Sequence, residues 1–275
     1  MIQMIEKMNA SERHALIDFC AKSCIGIKAV GPLISYGTDY RFAEFWIQYE
    51  DAALGTDRPI LSFVSKFYGS ITVYSALENQ PKGNHETNHE TNSINELATF
   101  IRVIGYSSLV SNIDLSASEL GKSTAPSGHI MILPKDEKCT AVPTSDHVMF
   151  IVDTNYKAFY DVLNENYPDN GSAAYEEWLV DFSHRYRHGT SSSLLLEWNG
   201  QYVGTAAAMV ITENAVLLGA ISTNVNCRGK HYAHTMVKYL SDKYENRTRY
   251  IMCKPDKVSL YEKAGFTCCG DFYRQ

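Results

Sequence analysis

Residues 215–240 constrain the fold more than any other stretch of the chain. The apolar run from Ala215 to Ile221 reads as a buried strand. A short polar loop, Ser222 to Asn226, leads to Arg228-Gly229-Lys230, and from His231 the residues Ala233, Met236, Val237 and Leu240 recur at helical spacing. A strand, a loop holding a glycine and a helix opening on that loop make an anion site. The first N–H groups of a helix have no internal acceptor, and its dipole favours negative charge there.

The loop Arg228-Gly229-Lys230-His231-Tyr232-Ala233 resembles the Arg/Gln-x-x-Gly-x-Gly/Ala loop of the GNAT superfamily of acyl-CoA-dependent N-acyltransferases. In that family the loop's backbone amides hold the pyrophosphate of coenzyme A. His231 stands where the second glycine is usual, which is a departure. A second segment, Asp256 through Lys263 and Gly265 to Phe266, is similar to the family's Asn-x-x-Ala-x-x-Leu-Tyr-x-Lys-x-Gly-Phe, a short helix entering a strand. Gly265 suits a left-handed residue closing that helix. Leu260 is expected to face the core, with Tyr261 one residue round. Asp256 replaces the usual Asn and can only accept hydrogen bonds when ionised.

The net charge of −6 over 275 residues argues against general affinity for nucleic acid, which needs a basic face. No stretch approaches the ~20 apolar residues of a membrane span, and, with charge returning by Glu6 and Lys7, no secretory signal is expected. Seven cysteines form an odd set. Cys20 and Cys24 sit one helical turn apart and Cys268 and Cys269 are adjacent, but neither pair completes a zinc site, so no metal is expected. Reduced thiols and a cytoplasmic location follow as expectations.

The first domain is expected over 1–137. A helix is read over Ala10–Cys24, then punctuation at Gly31-Pro32 and Tyr36-Gly37. Strands follow at Phe42–Tyr49, Ile60–Val64 and Ser70–Tyr74, the last two as a hairpin around Phe67-Tyr68-Gly69. The tandem Asn-His-Glu-Thr at Asn84–Thr91 reads as part of a solvated loop from Glu78 to Ser93. A helix over Ile94–Gly105 and a strand over Ser107–Ser111 complete the half. This order resembles a GNAT core without its cofactor loop, so a degenerate GNAT-like α+β domain is expected. Beyond it, Gly121–Ser127 is turn-rich and Pro134–Ser145 irregular.

The second domain is expected over 138–275. It opens with a strand at His147–Val152 and a helix at Tyr156–Leu163. Asp169-Asn170-Gly171 turns the chain into a second helix, capped by Ser172, running to about Tyr186. Leu194–Trp198 and Tyr202–Ile211 flank Asn199-Gly200, a strong hairpin signal. With the segments above, the order is that of a GNAT fold: a mixed central sheet flanked by helices, α/β overall. The chain stops soon after Phe272, so the final strand is expected short or missing.

The resemblance implies an acetyltransferase in which the acceptor amine attacks the thioester of acetyl-CoA directly, in a ternary complex. Ile221, Ser222, Thr223, Arg228, Gly229, Lys230, His231, Tyr232, Ala233, Asp256 and Lys263 are then the cofactor-binding residues. Tyr261 matches the Tyr that protonates the departing thiolate. Glu197 is the candidate base, with Asp181, His184 and His188 as others. The implied partner is a small-molecule amine, with the protein a monomer or homodimer. Two alternatives stay open, a non-catalytic acyl-CoA-binding module and a Fem-type aminoacyl transferase.

Overall fold

The computed structural model describes residues 1–50, 58–77, 88–115, 125–152, 155–166 and 172–275. The first copy of the Asn-His-Glu-Thr duplication, the Asp169-Asn170-Gly171 turn and most of 121–127 lie outside them. The chain divides into two compact units, residues 1–129 with 270–275, and residues 130–269. No helix among the described residues is long and apolar enough to cross a membrane.

The first unit holds β1 (Ile2–Met4), α1 (Ala10–Ala21), α2 (Cys24–Tyr36), β2 (Ala43–Tyr49), β3 (Ile60–Phe67), β4 (Ser70–Ser75), α3 (Asn88–Ile104) and β5 (Ser108–Ser111). Its strands lie in the order β1-β2-β3-β4-β5. The first four pair antiparallel, and β4 pairs parallel with β5 after the α3 crossover. Alternation along the strands separates two cores. Trp46, Val64, Ile71 and Val73 pack with Leu97, Ala98 and Ile101 of α3. On the other face Tyr74 meets Phe19 of α1, ring centroids 4.9 Å apart.

Two expectations are corrected here. Gly31-Pro32 lies inside α2, so that expected break is a helix interior, whereas Tyr36-Gly37 does end the helix, with Gly37 at φ of 69° as its C-cap. Its residues are apolar on every side and ten of the thirteen are buried. That burial outweighs the ~3 kcal/mol cost of an interior proline. The second Asn-His-Glu-Thr copy, expected in a loop, forms the first turn of α3.

The second unit holds most of β6 (Gly128–Leu133), then β7 (Met149–Val152), α4 (Tyr156–Asn166), α5 (Ser172–Arg187), β8 (Ser192–Trp198), β9 (Gln201–Ile211), β10 (Ala215–Thr223), α6 (Tyr232–Lys243), β11 (Thr248–Cys253), α7 (Val258–Glu262) and the start of β12 (Thr267–Arg274). The strand order is β6-β11-β10-β9-β8-β7. β7 through β10 pair antiparallel and β10 pairs parallel with β11. Asn199 and Gly200 have φ of 51° and 76°, as the tight β8–β9 turn requires. β12 is neither short nor missing, being an eight-residue strand that reaches Arg274.

One face of this sheet is covered by α6, whose Met236, Val237 and Leu240 pack with Val216, Leu218, Leu194 and Leu196. The opposite face carries Leu195 and Ala207 beneath α4 and α5. There the Trp178 ring stacks on Phe159 and Phe182, at 5.6 and 5.0 Å between centroids. α6 approaches β9 so closely that a Cβ on Gly204 would lie 2.7 Å from Met236 Cε. Behind α6, the fully buried Arg249 donates to the carbonyls of Glu245 at 2.7 Å and Arg247 at 2.9 Å, and also to Glu137. Burial pulls its pKa down, which nearby Asp136, Glu245 and Asp242 oppose. A cation here suits the negative end of the α6 dipole.

Candidate functional site

The parallel ladder between β10 and β11 ends at Leu218 opposite Ile251. Beyond that point β10 continues from Gly219 to Thr223 with register partners on β9 alone among the described residues. Gly219 faces Ala207 and Ser222 faces Thr205, so β10 carries one residue more than β9 between these pairs. The result is a bulge. Ala220 takes φ of 50° within it, and its carbonyl accepts a 2.9 Å hydrogen bond from Thr205 Oγ1. A bulge beside a strand's free edge re-aims its backbone toward the gap. At the end of β10, Thr223 Oγ1 is buried with no hydrogen-bond partner among the described residues.

The first unit offers an internal contrast. Its parallel pair, β4 and β5, is in register through Val73 and Ser111. Where those strands end, the Asn112 carboxamide takes over as a surrogate strand. Its Oδ1 accepts from the Ser75 N–H at 2.9 Å and its Nδ2 donates to the Ser75 carbonyl at 2.7 Å. The edge that stays open in the second unit is stapled in the first.

From Thr223 the chain makes a 3-10 turn at Val225–Cys227 and enters the Arg228–His231 loop. Gly229 has φ of 83° and a Cβ there would meet nothing within 4 Å. His231 is left-handed at φ 61° and precedes α6 without any side-chain cap. The first helical bond runs from the Thr235 N–H to the His231 carbonyl at 2.9 Å. The N–H groups of Tyr232, Ala233 and His234 therefore have no helical acceptor. By contrast α1 carries a full capping box from Asn9 and Glu12, and α2 a Ser23 cap.

The loop's side chains divide by role. Arg228 is exposed and its Nη2 donates to Asn166 Oδ1 at the end of α4. The Lys230 ammonium lies 3.9 Å from the centre of the Trp198 ring, a cation–π contact that holds it over β8. The Tyr232 side chain is buried in the core and its hydroxyl donates to Asp146 at 2.6 Å. Burial first, and then this bond, push the phenol's pKa far above its ordinary value. His231 and His234 face each other with 3.4 Å between their Nδ1 atoms, and His234 Nε2 lies 3.1 Å from the Leu260 carbonyl. Donation to that carbonyl assigns the Nε2–H tautomer to His234 and leaves its Nδ1 to accept from His231. Burial pulls the His234 pKa down, His231 and Lys263 add to that, and the Leu260 bond opposes it.

On α7, Tyr261 is more deeply buried than Leu260, only 8% exposed, with its ring edge-on to Phe266 at 6.3 Å. The expected order of the two is thus reversed, because the tyrosine packs inside the core while the leucine only borders it. Asp256 is exposed and ion-paired with Lys257 at 2.7 Å, which holds its carboxyl below the usual range. Lys263 is exposed at the end of α7.

The structure gathers Ile221, Ser222, Thr223, Arg228, Gly229, Lys230, His231, Tyr232 and Ala233 between the end of β10 and the start of α6. Glu197 stands elsewhere, half-buried on β8 opposite Tyr202 and Met149, with β9 and β10 between β8 and β11. Asp181 is engaged by Arg185 at 2.7 Å, and the His184 and His188 rings lie 4.3 Å apart near the end of α5. Asn166, Thr205, Trp198 and His234 also belong to the site's framework. Sequence reasoning missed them because each acts through a partner far away in the chain.

Residues 155–266 match the model of the acetyltransferase (GNAT) family. No curated protein sequence matches the chain significantly. Among solved structures, a tandem GNAT protein from the clavulanic acid biosynthesis pathway is similar, with a TM-score of 0.58 at 11% identity over 100% of this chain and 98% of that one. A GCN5-related N-acetyltransferase from Sphaerobacter thermophilus also gives 0.58, at 14% identity over 100% and 95% of the two chains. A Drosophila protein gives 0.58 at 14% identity over 99% and 97%. At these identities the structures speak for the fold, and they extend it to the first half. Residues 155–266 are thus similar to the acetyltransferase (GNAT) family and have its fold, preceded in the chain by a half with a GNAT-like fold.

Proposed function

We propose that the second unit transfers an acetyl group from acetyl-CoA to a primary amine of a small molecule. The observation that carries this reading is the parting of β10 from β11 after Leu218, beside an α6 N-terminus with no side-chain cap. The residues present fit the group. Among the described residues, open space surrounds Gly229, the N–H groups at the start of α6 lack helical acceptors, and the Thr223 hydroxyl is buried without a partner. Acetyl-CoA supplies its acyl group as an activated thioester.

In this reading the amides of the Gly229–Ala233 segment and the Arg228 guanidinium hold the pyrophosphate. Lys230 contributes through its backbone, since its ammonium is held over Trp198. Lys263 adds positive charge nearby, and Asp256 contributes through its backbone. Backbone N–H groups of Ile221 to Thr223 polarise the reacting carbonyl, where low dielectric makes such donors effective. Tyr261 donates a proton to the departing thiolate. A phenol near pKa ~10 shares its proton with a thiolate near ~8.5 at modest cost when held close. Glu197 is the candidate base for the acceptor ammonium.

A second reading, acyl-CoA binding without transfer, draws on the burial of Tyr261. A panel of primary amines with acetyl-CoA, assayed for free thiol release, separates the two. Transfer to at least one amine, reduced about 100-fold or more in Tyr261→Phe with acetyl-CoA affinity unchanged, is the expected result. Tight binding with no turnover on any amine would favour the second.

A further inference from the structure

The last turn of α4 is stitched to the end of β10 and to the Arg228 loop through one carboxamide. Asn166 Nδ2 donates to Ser222 Oγ at 2.6 Å and to the Thr223 carbonyl at 3.3 Å, with a longer contact to the Val162 carbonyl at 3.5 Å. Its Oδ1 accepts from Arg228 Nη2. On either side of this bridge, Ser222 Oγ reaches the Val162 carbonyl at 3.4 Å and Asn224 Nδ2 donates to Glu165 Oε2 at 2.9 Å. Both ends of the amide are used, and no other group near Arg228 holds its guanidinium among the described residues.

The chemistry of that partner matters. Arg228 forms no ion pair among the described residues, so the amide oxygen fixes the guanidinium without neutralising it. A carboxylate at this position would bind more tightly and cancel the charge. A neutral acceptor leaves the remaining N–H groups and the whole positive charge for an anion. The same amide fixes the end of β10, which carries the bulge and the open edge.

We propose that Asn166 is a positioning residue of the acyl-CoA site, aiming Arg228 at the pyrophosphate and tying α4 to the loop that holds it. This rests on the acyl-CoA reading above. Asn166 reaches the pyrophosphate through Arg228, so most of its effect on affinity must be lost when Arg228 is gone. A double-mutant cycle reads that coupling directly.

The experiment is calorimetric titration of the full chain with acetyl-CoA for wild type, Asn166→Ala, Arg228→Ala and the double variant, with Asn166→Asp as a fifth protein. Melting temperatures check that each is folded. Asn166→Ala is expected to weaken binding about tenfold in the wild-type background and less than about twofold in the Arg228→Ala background. Asn166→Asp is expected to weaken it further than Asn166→Ala, because the new carboxylate neutralises Arg228. Equal losses in both backgrounds would overturn the proposal in favour of a purely structural amide, as would unchanged binding in Asn166→Ala. Absence of acetyl-CoA binding by the wild type would instead remove the acyl-CoA reading, and this role with it.

Discussion

The His234 imidazole sits between His231 and the Leu260 carbonyl, and its protonation is opposed chiefly by burial. Its folded pKa is below the unfolded value near ~6.5, so the unfolded chain takes up this proton first as pH falls. The stability contributed is fully present above that unfolded value and is lost as pH falls through it toward the folded pKa. Urea midpoints measured between about pH 7.5 and 5 should fall, and His234→Gln should flatten that slope. An unchanged slope in the variant would exclude His234 as its source. Tyr74 acts at the other end. Burial raises its phenol from 10.0 to about 12. Its contribution is intact below about pH 10 and lost as pH rises toward 12, so Tyr74→Phe should resist alkaline unfolding through that window. The sequence showed the residue types but little of this. The strand-to-helix loop at Gly229 was visible because a glycine and a helical period stand together. The φ of 50° at Ala220 was not, because no glycine marks it. Asn166 was equally silent, since an asparagine at a helix end suggests nothing of a partner 62 positions away.

α6 is the element on which the second unit's site depends. Met236, Val237 and Leu240 read correctly from the 3.6-residue period, and the structure packs them with residues of β8, β9 and β10. Leu240 is 1% exposed, so Leu240→Ala should cost about 2–5 kcal/mol of unfolding free energy in urea titrations, a cavity effect independent of ligand. The β8–β9 hairpin was equally legible, because Asn199-Gly200 is a local signal that needs no distant partner. α2 was not, because its proline and glycines spoke for turns while its stability comes from burial on all sides. The difference between the two parallel strand pairs was also hidden. A side-chain amide closes one and a bulge marks the other, and both depend on register. Asn112→Ala should strand the N–H and carbonyl of Ser75, costing the first unit about 1–3 kcal/mol in denaturant titrations. It should leave acetyl-CoA affinity unchanged.

At the scale of the molecule, two GNAT-like halves differ in the feature that would admit a ligand. The second unit holds a loop with open space at Gly229, an α6 N-terminus without a side-chain cap and a strand edge free beyond Leu218. In the first, the corresponding edge is closed by Asn112. The proposed reading therefore expects one acyl-CoA site per chain. Calorimetric titration with acetyl-CoA, run beside Gly229→Asp, tests this most directly. A carboxylate at that position strains a residue held at φ of 83° and repels the pyrophosphate. The account predicts a stoichiometry near one per chain for the unmodified protein, with binding lost in a variant that still unfolds cooperatively. A stoichiometry near two, or binding that survives Gly229→Asp, would contradict the placement of the site, and no binding at all would contradict the acetyltransferase reading itself.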